Sequence, residues 1–146
     1  TGIDINMNSL AQHSPLYKLQ RDLGHDPQKM IDTRTKSNLN NLTRGPELML
    51  GDRWAEFALL FADDALNCSE ELKNDLIELL QEDFPVTFSF LEKILNLVSK
   101  HDLNDPKSNL AFLRNLVDAI YLGEGWKVID EVVELREMIQ ECNQKN

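Results

Sequence analysis

"WAEFALLFADDAL", residues 54–66, is the stretch on which the fold turns. Trp54, Phe57, Phe61 and Ala65 follow one another at steps of three and four, with Leu60 beside them, the spacing of a single helix face. The apolar run closes on Asp63 and Asp64, well short of the ~20 residues that cross a bilayer. It therefore reads as an amphipathic helix of a soluble core.

Downstream the same grammar repeats. Ser69 stands as N-cap to "EELKNDLIELLQED", with Leu72, Leu76, Leu79 and Leu80 on one face and acids in the first turn, where the helix dipole favours them. Pro85 or Thr87 opens "FSFLEKILNLVSKH", with Phe88, Leu91, Leu95 and Val98 inward. Asp105 and Pro106 open the next helix, with Leu110, Leu113, Val117 and Ile120 inward and Gly123 as terminator. A last helix carries Trp126, Ile129, Val132, Val133, Leu135 and Ile139. Five substantial helices with short links predict an all-α, single-domain antiparallel or orthogonal bundle. Trp54, Phe61, Leu76, Leu91, Leu95, Leu113, Val117, Ile120 and Val132 are its expected core.

Upstream the pattern thins. Residues 1–13 lack periodicity; Ser14, Pro15 and Gly24 bound a short helix, and Asp26 with Pro27 opens another. "TKSNLNNLTRGP" is polar, anchored only by Leu39 and Leu42, and Gly45-Pro46 breaks the chain. The expected organisation is a loosely attached N-terminal arm over residues 1–45, partly disordered with short capped helices, and an acidic helical bundle over 46–146.

"LGDRW" at 50–54 and "LGEGW" at 122–126 echo each other. Glycine ends one helix in the left-handed region, an acid suits the next N-terminus, and a first-turn Trp packs inward while its N–H reaches the surface. The flanks do not match at this offset, so the echo is boundary chemistry and not a duplication. Helices are expected to begin near Asp52 and Glu124.

Charge is unevenly spread. The chain of 146 residues carries −10, of which residues 1–50 contribute +1 and residues 51–146 contribute −11. So acidic a body repels phosphate backbones and anionic lipid, which disfavours direct nucleic-acid or membrane binding, and attracts a basic protein. Two cysteines, Cys68 and Cys142, are too few for a disulfide framework and suit a reducing cytoplasm.

Chemistry-bearing patterns are sparse. His25-Asp26 and His101-Asp102 suggest the His-Asp pair of helical metal-dependent phosphohydrolases, yet only three histidines are present and both pairs lie at helix boundaries. Six glycines lie scattered at 2, 24, 45, 51, 123 and 125, so no phosphate-cradling loop is formed. No catalytic, metal-binding or cofactor-binding residue is assigned, and Cys68 is expected to be unreactive beside acids.

The reading that follows is a non-catalytic helical protein–protein interaction module: an adaptor, chaperone-like or regulatory domain. Tyr17, Met30 and Leu39 are its expected apolar anchors in the arm. The alternative is an acidic inhibitor, immunity protein or antitoxin that masks a basic, nucleic-acid-binding partner. It would act through Asp63, Asp64, Glu70, Glu71, Asp75, Glu78, Glu82 and Asp83. A metal-dependent phosphohydrolase is the least favoured alternative.

Overall fold

The structure, a computed structural model, describes residues 2–44 and 53–121, with 137, 138, 141 and 144. Six helices are described: α1 Gly2–Asp22, α2 Gln28–Arg44, α3 Arg53–Asn67, α4 Glu70–Asp83, α5 Pro85–Ser99 and α6 Pro106–Tyr121. The described residues contain no strand, as the all-α reading expects.

α3 is the hub. It packs against α1, α2, α4 and α5, while α6 lies on α1 and α5. Its sequence explains this position, because Ala55, Ala58, Leu59, Phe61, Ala62 and Ala65 are all buried and lie on more than one face. A helix apolar nearly all round must be enclosed, and its alanines let neighbouring helices come close. Phe61, Phe90, Phe112, Leu76, Leu80, Leu91 and Ile94 fill the space between the helices. Each such side chain contributes about 1.5–3 kcal/mol on full burial.

The ends at Gly24, Asp26 and Asp105 follow the expected chemistry, whereas Ser69 stands at the N-cap of α4 without a side-chain cap bond and Ser14 lies inside α1. Gly24 takes φ 85 after α1. Gly24 N–H donates to the Arg21 carbonyl and His25 N–H to the Gln20 carbonyl, the paired bonds of a Schellman stop. Asp26 Oδ1 accepts from Gln28 N–H at the start of α2, and Asp105 Oδ2 accepts from Ser108 N–H at the start of α6. The starts expected at Asp52 and Glu124 fall outside the described residues, as do Val132 and the expected last helix apart from isolated positions.

The N-terminal third departs from expectation. Residues 1–13 and 14–24 were to be a loose stretch and a short helix; instead α1 is one helix of 21 residues with Pro15 inside it. The polar stretch before Gly45 belongs to α2, which runs 17 residues. Met7, Leu10, Ala11 and Leu42 join the same core cluster as Phe61 and Leu91, so residues 2–44 are not a loosely attached arm. The break expected at Gly45-Pro46 lies outside the described residues. The physical reason is that α1 buries a narrow face against α3 and carries a second apolar face opposite, which blurs its periodicity.

Two core stripes are rotated from the expected ones. On α6, Phe112, Leu116, Ala119 and Ile120 are buried, while Val117 and Leu110 are exposed. On α5, Phe90, Ile94 and Leu97 are buried with Leu91 and Val98, and Leu95 and Phe88 are only partly covered. Leu113 is also partly buried, and the side chain of Trp54 is outside the described set.

Candidate interaction surface

α1 presents opposite faces of similar apolarity. Inward lie Met7, Leu10, Ala11 and Tyr17; outward lie Ile5, Leu16 and Leu19, with Leu23 in the turn just past the helix, exposed by 65%, 46%, 54% and 68%. Read through Ser9 and Gln12, the outward line Ile5, Ser9, Gln12, Leu16, Leu19, Leu23 steps by four and three alternately. That is the 3–4 spacing of positions that share one helix face. No residue on the line is charged.

This line adjoins a groove between α1 and α6 of about 350 Å³. Ala11, Gln12 and Pro15 form one wall; Leu103, Asn104, Pro106, Asn109, Leu110 and Leu113 form the other. Again none is charged. Asn109 fixes the groove by donating through Nδ2 to the Ala11 carbonyl at 2.6 Å and the Leu103 carbonyl at 2.8 Å.

A polar junction holds α1 in register. Asn6 Nδ2 donates to the Glu56 carbonyl, His13 Nδ1 lies 2.6 Å from Asp63 Oδ2, and Ser14 Oγ donates to Asn67 Oδ1. The partners advance together along both helices, so α1 and α3 are parallel. On α2, Gln28 meets Asn67 while Arg34 and Asn38 meet Asp64, so the order reverses and α2 runs antiparallel to α3.

Arg34 is the centre of that junction. Its Nε and Nη2 donate to Asp64 Oδ1 at 3.2 and 3.1 Å, Nη2 reaches Asp63 Oδ2 at 3.4 Å, and Nη1 donates to the Tyr17 hydroxyl at 2.9 Å. Asn38 Nδ2 donates to the other oxygen of Asp64 at 2.7 Å, and Asn67 Nδ2 donates to Asp63 Oδ1 at 3.0 Å. Burial pushes the Asp63 carboxyl above its ordinary value, against the pull of His13 and Arg34 and with Asp64 adding to the rise. Burial opposes the charge of Arg34, but Asp64 and Asp63 hold its guanidinium above the ordinary value. Beside the junction, burial works against the Asp32 carboxylate. Hydrogen bonds from Gln28 and Ser69 outweigh it and hold Asp32 below the usual range.

The structure redistributes the expected anchors. Tyr17 is buried with its hydroxyl on Arg34, and Leu39 is partly buried against the core, so neither is an exposed anchor. Met30 is exposed, beside a second depression of about 650 Å³ along α2 lined by Asp26, Lys29, Met30, Thr33, Arg34, Ser37 and Asn38. Asp63 and Asp64 are buried, not displayed, which corrects their place in an acidic surface. Adjacent carboxylates survive there because a cation from α2 meets them. Glu70, Glu71, Asp75, Glu78, Glu82 and Asp83 are exposed along α4.

Both His-Asp dipeptides have local roles. Asp26 and Asp102 accept backbone N–H groups two residues on. His101 Nδ1 faces the Leu97 carbonyl at 2.8 Å, so that nitrogen carries the proton, and Nε2 faces Asn115 Nδ2 at 3.4 Å. The described residues hold no group of three His, Cys, Asp or Glu able to bind a metal ion. Burial first, then Asp64 and Asp32, pushes the Cys68 thiol up to about 11.

The outward leucines were missed in the sequence reading, although their spacing was legible once Pro15 is allowed inside a helix. No helix among the described residues is long and apolar enough to cross a membrane. No family model matches the chain, and neither the curated proteins nor the solved structures provide a match.

Proposed function

We propose that the chain is a non-catalytic helical interaction module, an adaptor, chaperone-like or regulatory domain, which another polypeptide engages along the outer face of α1 and the α1–α6 groove. One observation carries this reading: exposed leucines sit on an uncharged line in a protein whose residues are 27% charged. Interface centres are depleted of charge, and apolar area removed from water gains about 25 cal/mol per Å². The chain's helical body supplies a rigid base for that face, and the junction around Arg34 keeps α1 from turning it inward. The two-cysteine composition favours the cytoplasm as the compartment.

The test is a Leu16→Ser, Leu19→Ser double variant compared with the parent chain. Thermal melting should stay within about 0.5 kcal/mol, because both side chains are exposed, while binding to a polypeptide partner is lost. Binding undiminished in a well-folded variant would move the recognition site elsewhere.

The six exposed carboxylates of α4 favour a second reading, an acidic inhibitor that masks a basic partner. Its association rate would fall steeply with ionic strength and with reversal of Asp75 and Glu78. Binding through α1 would respond to neither.

A further inference from the structure

Resting on the reading of the α1 face as a docking surface, we propose that the polypeptide it takes is a second copy of this chain. A two-fold pair needs one patch that complements itself. An uncharged seam of leucines meets its own copy without opposed like charges, and its alternating spacing suits helix packing at about 20° with axes 8–10 Å apart. A helix of 21 residues is about 30 Å long, so paired α1 helices offer a continuous contact. Lys18 and Asp22, exposed charges of opposite sign on α1, pair with each other at 3.0 Å and lie round the helix from the seam.

The global charge selects this face from the others. At −10 per chain, two copies repel each other wherever their acidic surfaces meet. α4, with its six exposed carboxylates, packs on α2, α3 and α5 and touches neither α1 nor α6. A pair formed through α1 and α6 therefore turns both α4 helices away from the partner copy. Screening over about 8 Å at physiological salt removes most of what repulsion is left. The groove beside Pro15 and Leu110 receives side chains that the seam of the other copy brings over.

The experiment is analytical ultracentrifugation of the full chain over a concentration series, at low and at high salt. The expected result is a monomer–dimer equilibrium that holds or tightens as salt rises, because the contact is uncharged and the repulsion is screened. Leu19→Asp should weaken dimerisation by about tenfold or more, since a carboxylate then enters an apolar contact. Leu16→Ser should weaken it less, and both variants should melt as the parent does. A chain that stays monomeric at every concentration, or a dimer indifferent to both variants, overturns the proposal. Monomeric behaviour together with loss of heterologous binding in the leucine variants would defeat the second-copy assignment alone and leave the docking face standing.

Discussion

The side-chain amide of Asn109 donates to the carbonyl of Ala11, four residues before Pro15. In an unbroken helix that carbonyl would accept the N–H of residue 15, which proline lacks. α6 thus supplies the bond that α1 cannot make for itself, and this is how a proline is accommodated inside a helix of 21 residues. The same contact sets one wall of the α1–α6 groove.

A double-mutant cycle tests this link. Asn109→Ala should cost about 1–3 kcal/mol in the parent chain, by stranding a partly buried carbonyl. In a Pro15→Ala background the helix supplies its own donor, and the same change should cost distinctly less. Equal losses in both backgrounds, measured by urea denaturation, would show that Asn109 and Pro15 are independent.

Arg34 should be far more sensitive than its position in a polar stretch suggests. Arg34→Leu leaves Asp64, fully buried, and Asp63 without their shared cation, and should cost about 3–5 kcal/mol. Asp64→Asn keeps an acceptor for Arg34 and should cost less. A loss below about 1 kcal/mol for Arg34→Leu would mean that water replaces the guanidinium.

Deletion of residues 1–44 should abolish cooperative melting. The truncated chain would uncover the surfaces of α3 that face Met7, Leu10, Ala11 and Leu42, and would strand Asp63 and Asp64. Each core side chain removed forfeits about 1.5–3 kcal/mol, against a typical total stability of about 5–15 kcal/mol. A sharp calorimetric transition in the deletion would restore the division of the chain into arm and body.

Cys68 should be slow to alkylate. With its thiol pushed up from 9.0 to about 11, the folded chain holds the proton where an unfolded thiol has begun to release it. Around pH 8 the thiolate fraction, and with it the rate with iodoacetamide, should be about 100-fold below that of the unfolded chain. Cys142→Ser keeps the readout on Cys68. By the same linkage, the contribution of this group to stability is full below pH 9.0 and declines as pH rises toward about 11. Alkylation at equal rates in folded and urea-unfolded protein would contradict the burial of this thiol.

Much of the fold was legible in local pattern. The caps at Asp26 and Asp105, the stop at Gly24 and the leucine face of α4 follow from chemistry within four residues of each position, which a sequence displays directly. The same local reasoning places the acids of α4 on a solvated face.

The tertiary structure alone decided which apolar residues went inward and which acids were surface. Leu16, Leu19 and Leu23 are as apolar as Leu10, but α3 can cover only one side of α1, so identical chemistry divides into core and exposed seam. Asp63 and Asp64 look like any solvated pair until Arg34, about thirty residues earlier, is folded against them. Pro15 ends a helix unless Asn109, almost a hundred residues later, takes up the stranded carbonyl. Local hydrogen bonds and periodicity are properties of a short segment; the partner that offsets a buried charge or a missing donor is a property of the packed chain.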